Sequence, residues 1–137
     1  MAVSFVSRTI GRYNRAMDDS TTIAELKQLV KEFRDERDWE QFHDPKNLAE
    51  GTVIEAGELL EHFLWKQKGQ IAEQLQNDPV YREEIGDELA DVFNYVLLLA
   101  LSMEYDLSTI LKAKREKTGR KYPIEKSKGN ATKYTKL

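Results

Sequence analysis

The sequence predicts an all-α fold, a bundle of about four helices in one domain. Apolar residues recur at the three- and four-residue spacing of helices, and two Asp-Pro pairs have the form of a helix start. No segment shows the period-two alternation, rich in β-branched residues, that indicates a strand. The 137 residues suit a single domain and contain no evident internal repeat.

The first helix is expected to begin near Thr22 and to end near Arg37. Thr22 and Glu25 have the spacing of a capping box, in which each side chain accepts a hydrogen bond from the other residue's backbone N–H. An apolar stripe follows at helical spacing: Ile23, Leu26, Val30 and Phe33. Residues 1–20 lack such periodicity, and we expect them to form a flexible extension before a domain of residues 21–125.

The connector after the first helix, residues 38–44, is unusually aromatic for a solvated loop. Trp39 and Phe42 are therefore candidates for stacking on a nucleic base, a contact worth roughly 1 to 3 kcal/mol. His43 has two readings, a hydrogen bond to a base or a hydrogen bond to the backbone, and the sequence does not choose between them.

The Asp-Pro pairs predict the next two helices, with aspartate as N-cap and proline in the first turn. The second helix is expected to begin after Asp44 and to continue to about Lys68. The third is expected to begin after Asp78 and to continue to about Met103, with residues 69–77 as a loop before it. Apolar positions of the second helix are Leu48, Val53, Ile54, Leu59, Leu60 and Phe63. Positions of the third that should face inward are Ile85, Leu89, Val92, Val96 and Leu99.

A fourth helix is expected over about residues 107–117. Asp106 fits its N-cap position, and Gly119 and Pro123 are expected to end it. Residues 126–137 are expected to form a flexible basic tail.

The composition excludes several classes of protein. Charged residues make up 33% and apolar residues 40%, a balance typical of soluble helical proteins, and no run approaches the roughly 20 apolar residues that cross a bilayer. We therefore expect a cytoplasmic protein without a membrane partner. The chain has no cysteine and only two histidines, which excludes disulfides and makes a structural zinc site very unfavourable.

The net charge of −3 conceals an asymmetry. Residues 112–137 carry ten Lys and Arg against two acids, a net charge of +8, which leaves −11 on residues 1–111. A metal-bound polyphosphate would suit both parts, because acids hold the metal and cations hold phosphate oxygens. The alternatives are a solvated basic tail and a nucleic-acid arm; the negative total disfavours the second, and we expect no nucleic-acid partner.

Two acidic pairs lie at the three-residue spacing that places side chains on one helix face: Glu55 with Glu58, and Glu88 with Asp91. If the second and third helices pack together, four carboxylates converge on one spot. Such a cluster suits a hard divalent cation. The sequence therefore predicts a metal site between these helices.

The competing interpretation of these acids is a solvated helix surface. Glu58 and Glu88, however, border apolar stripes that must be buried, where an uncompensated carboxylate is costly and a bound metal is the usual remedy. The chain has one Glu-x-x-His, Glu40 to His43, and it lies in the connector rather than in a long helix. Ligation by carboxylates alone favours Mg2+ or Mn2+ over a redox metal.

Four stretches resemble one known family, the all-α MazG-like nucleotide pyrophosphohydrolases, and within it the dCTP pyrophosphatase branch. The stretches are residues 33–43 (FRDERDWEQFH), 55–65 (EAGELLEHFLW), 88–95 (ELADVFNY), and Asp106-Leu107 together with Lys114 and Lys121-Tyr122-Pro123. The paired Glu-x-x-Glu and Glu-x-x-Asp become a specific motif when the aromatic connector and the Lys-Tyr-Pro ending accompany them. The resemblance spans about residues 22–125.

The resemblance implies hydrolysis of a nucleoside triphosphate, such as dCTP or a modified dCTP, to the monophosphate and pyrophosphate, with Mg2+ as cofactor and Mn2+ as a possible substitute. It also implies a homodimer or homotetramer with pockets built between subunits. The implied metal ligands are Glu55, Glu58, Glu88 and Asp91. Contacts to the phosphates fall on Lys114 and Tyr122, and the nucleoside pocket or its wall falls on Trp39, His43, Trp65 and Tyr95. Thr118 replaces an asparagine that is frequent in related proteins, and a hydroxyl there could still bind phosphate.

We expect water to attack the α-phosphorus, with Glu58 or Glu61 accepting its proton and Lys114 stabilising the departing pyrophosphate together with Arg115 or Lys121. The aromatics of the helices, Trp65 and Tyr95, could instead belong to the core. Two other functions stay open at this point. They are a nucleotide-binding regulator without hydrolysis and a helical interaction module.

Overall fold

A computed structural model describes residues 17–137, and most of the predicted extension at residues 1–20 therefore lies outside the described residues. The described part contains six α-helices and no strand. They are α1 (Ile23–Asp35), α2 (Pro45–Glu61), α3 (Lys68–Asn77), α4 (Pro79–Ser102), α5 (Leu107–Lys121) and α6 (Ile124–Ser127), and two short 3-10 turns cover Glu40–Phe42 and Tyr134–Lys136. The all-α class is confirmed, whereas the expected count of four helices is wrong. Over residues 17–137, no helix has both the length and the apolar character needed to cross a bilayer.

Side chains at the helix N-termini form the predicted caps. The Thr22 backbone nitrogen donates to Glu25 Oε2 at 2.6 Å, and the Glu25 nitrogen donates to Thr22 Oγ1 at 3.2 Å. Asp44, Asp78 and Asp106 each accept hydrogen bonds from backbone N–H groups in the first turn of α2, α4 and α5. These bonds satisfy donors that have no partner within a helix, which explains why the helices begin where the sequence predicts.

Asp78 is the cap with the largest consequence, because it starts the helix that carries two of the four predicted metal ligands, Glu88 and Asp91. Its Oδ1 accepts from the nitrogens of Val80 and Tyr81, each at 3.0 Å. We expect Asp78→Ala to lower the free energy of unfolding by about 1 kcal/mol. Asp78→Asn should retain most of the stabilisation by the cap. Glu84→Ala, at an exposed site in the same helix, should change the free energy of unfolding little. Urea unfolding followed by circular dichroism measures all three, and equal stability of Asp78→Ala and wild type would contradict the assignment.

The region expected to be a loop, residues 69–77, is helix α3. Its start is fixed by the Gln67 backbone nitrogen, which donates to Gln70 Oε1 at 2.8 Å. Ile71 and Leu75, four residues apart, form a half-buried stripe in a helix that packs on α4. Packing against α4 therefore outweighs the low helix propensity of Gly69.

Two predicted helix ends are also wrong. Helix α2 ends at Glu61 rather than near Lys68, because the chain turns and Trp65 takes a positive φ of 62° that no helix accommodates. Helix α5 continues through Gly119 to Lys121 and stops before Pro123. The residue that precedes a proline is disfavoured in the helical region, so Pro123 and not Gly119 ends α5.

Helix α4 is the centre of the core, since α1, α2 and α3 all pack against it. Helices α2 and α4 run antiparallel: Gly51 near the start of α2 contacts Tyr95 late in α4, whereas His62 at the end of α2 contacts Tyr81 early in α4. The buried hydrophobic residues are Leu48, Tyr81, Leu97, Leu98 and Ala100. Three of them, Leu97, Leu98 and Ala100, lie close together near the end of α4.

Several residues of the predicted stripes are exposed. Leu89, expected to face inward, is 57% exposed, because it lies on the side of α4 that lines an open groove. Phe33 is part of α1, but its ring packs against Trp39 of the connector instead of in the core. In α2, Leu59 and Phe63 are half-buried, while Val53, Ile54 and Leu60 are exposed.

The chain separates into two compact units, one ending at Met103 and one from Glu104 to Leu137. The first contains α1 to α4. The second contains α5, α6 and the C-terminal residues, where the ring of Tyr122 packs edge-on against that of Tyr134 with centroids 5.7 Å apart. The predicted flexibility of residues 126–137 stays a prediction.

Candidate metal and nucleotide site

A close approach of α2 and α4 positions the acidic residues. Gly51 lies so near the Tyr95 ring that a Cβ on it would come within 2.3 Å of Tyr95 Cε1, so the absence of a side chain permits the observed packing. Glu55 is one turn after Gly51 and Asp91 is one turn before Tyr95. Because the helices are antiparallel, these two carboxylates face each other.

Three carboxylates converge at this point. One oxygen from each of Glu55, Glu88 and Asp91 lies within 4.8 Å of the others, and we name these residues the carboxylate trio. Glu55 and Glu88 are half-buried and Asp91 is exposed. The structure thus brings together three of the four predicted ligands and draws them from both helices. Glu58 is not part of the trio, although its charge acts on Glu55.

Electrostatics within the trio fit a divalent cation. Burial raises the pKa of Glu55 above its usual value, and the negative charges of Glu58, Asp91 and Glu88 raise it further. Three mutually repelling oxygens at this spacing are a donor set that hard cations such as Mg2+ and Mn2+ prefer. A cation here would be held by Glu55, Glu88 and Asp91, with Glu58 adjacent.

One residue at the site was not predicted from the sequence. His62 Nε2 lies 3.9 Å from Glu88 Oε1, which brings an imidazole beside the trio. The sequence does contain a pattern that indicates this position: His62 follows Glu58 by four residues and Glu55 by seven, the spacing of a single helix face.

The aromatic connector is organised around a buried arginine. The guanidinium of Arg34, which is 7% exposed, pairs with Asp35 at 2.6 Å and with Glu40 at 3.0 Å. Nearby, His43 Nδ1 is buried without a hydrogen-bond partner among residues 17–137. Burial lowers the pKa of His43, and the positive charge of Arg34 lowers it further, so this imidazole is neutral at pH 7.

The lowered pKa of His43 predicts a pH dependence of stability. In the unfolded chain this imidazole titrates near 6.5, and in the folded protein lower. Between these two values the unfolded state binds more protons, so the His43 contribution lowers the free energy of unfolding as the pH falls below about 6.5. Urea titrations at pH 7.5 and 5.5 should show a larger loss for wild type than for His43→Gln. Equal losses would contradict the prediction.

Trp39 is held by two neighbours. Its ring packs edge-on against Phe33 with centroids 5.9 Å apart. The Arg37 guanidinium lies 6.0 Å from the centroid of the Trp39 ring and 3.5 Å from that of the Phe33 ring. Both rings remain about half-exposed, as does Phe42. An aromatic surface held in place and open to solvent can stack on a base, and this role of Trp39 stays a prediction.

The other predicted pocket residues are placed differently from one another. Tyr95 is half-buried against Gly51, so in this chain it packs between helices. Trp65 is 97% exposed in the turn after α2 and has no place in the core. Glu61, the last residue of α2, is exposed.

The predicted phosphate-binding residues belong to the second unit. Lys114 is exposed on α5, Thr118 is half-buried one turn later, and Tyr122 is at the end of the helix. The Nζ of Lys121 lies 4.8 Å from the centroid of the Tyr134 ring. The roles of Lys114, Thr118 and Tyr122 stay predictions.

Comparison with known proteins identifies the family. The model of the MazG-like family matches residues 51–137. The chain belongs to the MazG-like family. It is 40% identical over 116 residues to dCTP pyrophosphatase 1 of Bos taurus and 39% identical to that of Homo sapiens, each match covering 85% of this chain and 68% of the relative. A solved structure, a pyrophosphatase from Archaeoglobus fulgidus, is 40% identical with a TM-score of 0.68 and matches 74% of this chain and 92% of its own.

These matches confirm the resemblance to MazG-like proteins and to the dCTP pyrophosphatase branch. The relatives are pyrophosphatases by name, in agreement with the predicted class, an enzyme that hydrolyses a phosphoanhydride. The family match begins at Gly51, so it includes the whole carboxylate trio and all of the second unit.

Proposed function

We propose that this MazG-like protein hydrolyses a nucleoside triphosphate, dCTP or a modified dCTP, to the monophosphate and pyrophosphate with Mg2+. The observation that carries the proposal is the carboxylate trio, in which α2 and α4 place three oxygens within 4.8 Å. Its support is the 40% identity to dCTP pyrophosphatase 1 over a stretch that covers 85% of the chain. Mn2+ has the same ligand preference and should substitute.

A bound cation at the trio would neutralise phosphate charge and lower the pKa of a water. Glu55, Glu88 and Asp91 hold the cation by this proposal, which leaves Glu58 with a different part. Glu58 lies one turn beyond Glu55 and outside the trio. It is the group we assign to accept the proton of the attacking water, with the exposed Glu61 as the alternative.

The phosphates and the base need further contacts. From the resemblance, Lys114 binds the departing pyrophosphate, and Thr118 and Tyr122 contact phosphate oxygens. The excess of cations in residues 112–137 supports this assignment, because polyphosphate binding needs a positive potential. For the base, Trp39 supplies the stacking surface. From the resemblance, His43 belongs to the wall of the nucleoside pocket, while its buried Nδ1 is out of reach of a bound base.

We further propose that the active form is a dimer or tetramer of this chain. The apolar residues that line the α4 groove are Leu75, Ile85, Leu89, Val92, Phe93 and Val96, and Trp65 is almost wholly exposed. A second copy would cover the groove, and Trp65 can line a pocket only if another molecule contacts it. Leu89 also lacks a covering neighbour, since a monomer leaves over half of this leucine exposed to water.

Phe93→Glu tests the oligomer, because a charge in the α4 groove opposes burial by a second copy. We expect light scattering to show a shift toward monomer and turnover to fall with it. Val80→Glu is the matched control, since Val80 is also exposed on α4 but does not line the groove. An unchanged assembly in Phe93→Glu would contradict this part of the proposal.

A product assay tests the reaction itself. Purified protein is incubated with dCTP, 5-methyl-dCTP, dTTP, dATP and ATP, each with Mg2+ and with EDTA, and the products are resolved by chromatography. We expect monophosphate and pyrophosphate, formed fastest from the cytosine nucleotides and not at all in EDTA. Diphosphate with phosphate would refute the proposed bond. Mg2+-dependent binding without turnover would instead favour a regulator, and neither binding nor turnover would favour an interaction module.

A further inference from the structure

We propose that His62 is a positioning residue that holds the Glu88 carboxylate in the orientation needed to bind the metal. This inference rests on the proposed function, because His62 would support a ligand of the same metal site. The residue is close enough for the role, with Nε2 3.9 Å from Glu88 Oε1, and both side chains are largely shielded from solvent, at 20% and 23% exposure.

Contacts with Tyr81 hold the backbone and the ring of His62 in place. His62 follows α2 directly, and its backbone carbonyl accepts a 2.7 Å hydrogen bond from the hydroxyl of Tyr81. The two rings also pack edge-on, with centroids 6.0 Å apart. Tyr81 is buried in α4, and Lys66 Nζ lies 4.0 Å from the centroid of its ring. The contacts of His62 with Tyr81 thus fix the end of α2 against α4, and the His62 imidazole lies next to Glu88.

The chemistry of a carboxylate ligand calls for such a neighbour. One oxygen of Glu88 is enough to bind a cation, and the second then needs a hydrogen-bond donor to set the angle of the group. His62 supplies that donor as Nε2–H. At 3.9 Å the pair is about 1 Å beyond hydrogen-bond length, so the two side chains must move closer for the bond to form. Helix α2 and the residue that follows it thereby contribute to the site twice, through Glu55 as a ligand and through His62 as a support for Glu88.

Two substitutions separate the donor from the bulk of the side chain. His62→Leu removes the donor and keeps an apolar side chain, whereas His62→Gln places an amide nitrogen at similar reach. We expect isothermal titration with Mg2+ alone to show about 10-fold weaker binding for His62→Leu, the size usual for a lost outer-layer partner, and binding within about 3-fold of wild type for His62→Gln. The KM for Mg2+ in turnover should rise by the same factor as the dissociation constant.

A double-mutant cycle with Glu88→Gln shows whether His62 acts through Glu88. In the Glu88→Gln background, His62→Leu should have no further effect on Mg2+ binding. A purely structural role would lower the melting temperature of both His62 variants without this pattern in Mg2+ affinity, and that result would overturn the inference. Full Mg2+ affinity in His62→Leu would do the same while the proposed function stands. Absence of Mg2+ binding and turnover in wild type would instead refute the proposed function, and the inference with it.

Discussion

Glu88→Gln should lose turnover by on the order of 10^2- to 10^3-fold, because the substitution removes one of the three charges that hold the cation against the transferring phosphoryl group. Glu88 faces Glu55 and Asp91 within the trio and also lies 3.9 Å from His62. Steady-state kinetics at saturating nucleotide, with the Mg2+ concentration varied, measures the fall in kcat and the expected rise in the KM for Mg2+.

The same substitution should stabilise the protein when no metal is present. The charge of Glu88 is one of the causes that raise the pKa of Glu55, so removing it relieves repulsion within the trio. In EDTA we expect a higher melting temperature than wild type, and on adding Mg2+ a smaller rise than wild type shows. Glu84→Gln, an exposed position one turn earlier in α4, serves as the matched control. Activity near wild type in Glu88→Gln would remove the basis of the proposed site.

Glu58→Gln should also lower turnover strongly, but with Mg2+ binding largely intact. Glu58 is on the acidic face of α2 and outside the trio, and general-base groups contribute about 10^2- to 10^4-fold to rate. We therefore expect kcat to fall by that factor, while titration calorimetry gives a Mg2+ dissociation constant within a few-fold of wild type. Glu61→Gln, the alternative base, should retain most of the activity.

The comparison of Glu58→Gln with Glu88→Gln is informative in itself. If both lose Mg2+ affinity to the same degree, Glu58 is a fourth ligand, as the sequence motif implied, and the proton acceptor must be sought elsewhere. If Glu61→Gln is the inactive variant, the assignment of the base moves by one turn along α2. Circular dichroism should show unchanged helicity in all three.

Local signals predicted much of this fold. The capping box at Thr22 and the aspartates before Pro45 and Pro79 determine their helix starts through bonds within a few residues, so the sequence alone reveals them. The three-residue spacing of Glu55 with Glu58 and of Glu88 with Asp91 is equally readable, because a helix face is a property of the chain itself.

What the sequence did not reveal depends on contacts between distant residues. Helix α3 contains a glycine in its first turn and is stabilised by packing on α4, which no local pattern shows. Leu89 has the spacing of a core residue, but the described chain provides nothing to cover it. His62 is brought to Glu88 by the antiparallel pairing of α2 and α4, which no local pattern shows.

The water-facing indole of Trp65 gives this protein an optical reporter of its own. The chain has two tryptophans, and Trp39 is partly shielded by Phe33, so the red edge of the emission spectrum arises mainly from Trp65. Any molecule that covers this side chain should move the emission to shorter wavelength. Dilution and nucleotide titration can therefore be followed by fluorescence without a label, and Trp65→Phe supplies the blank.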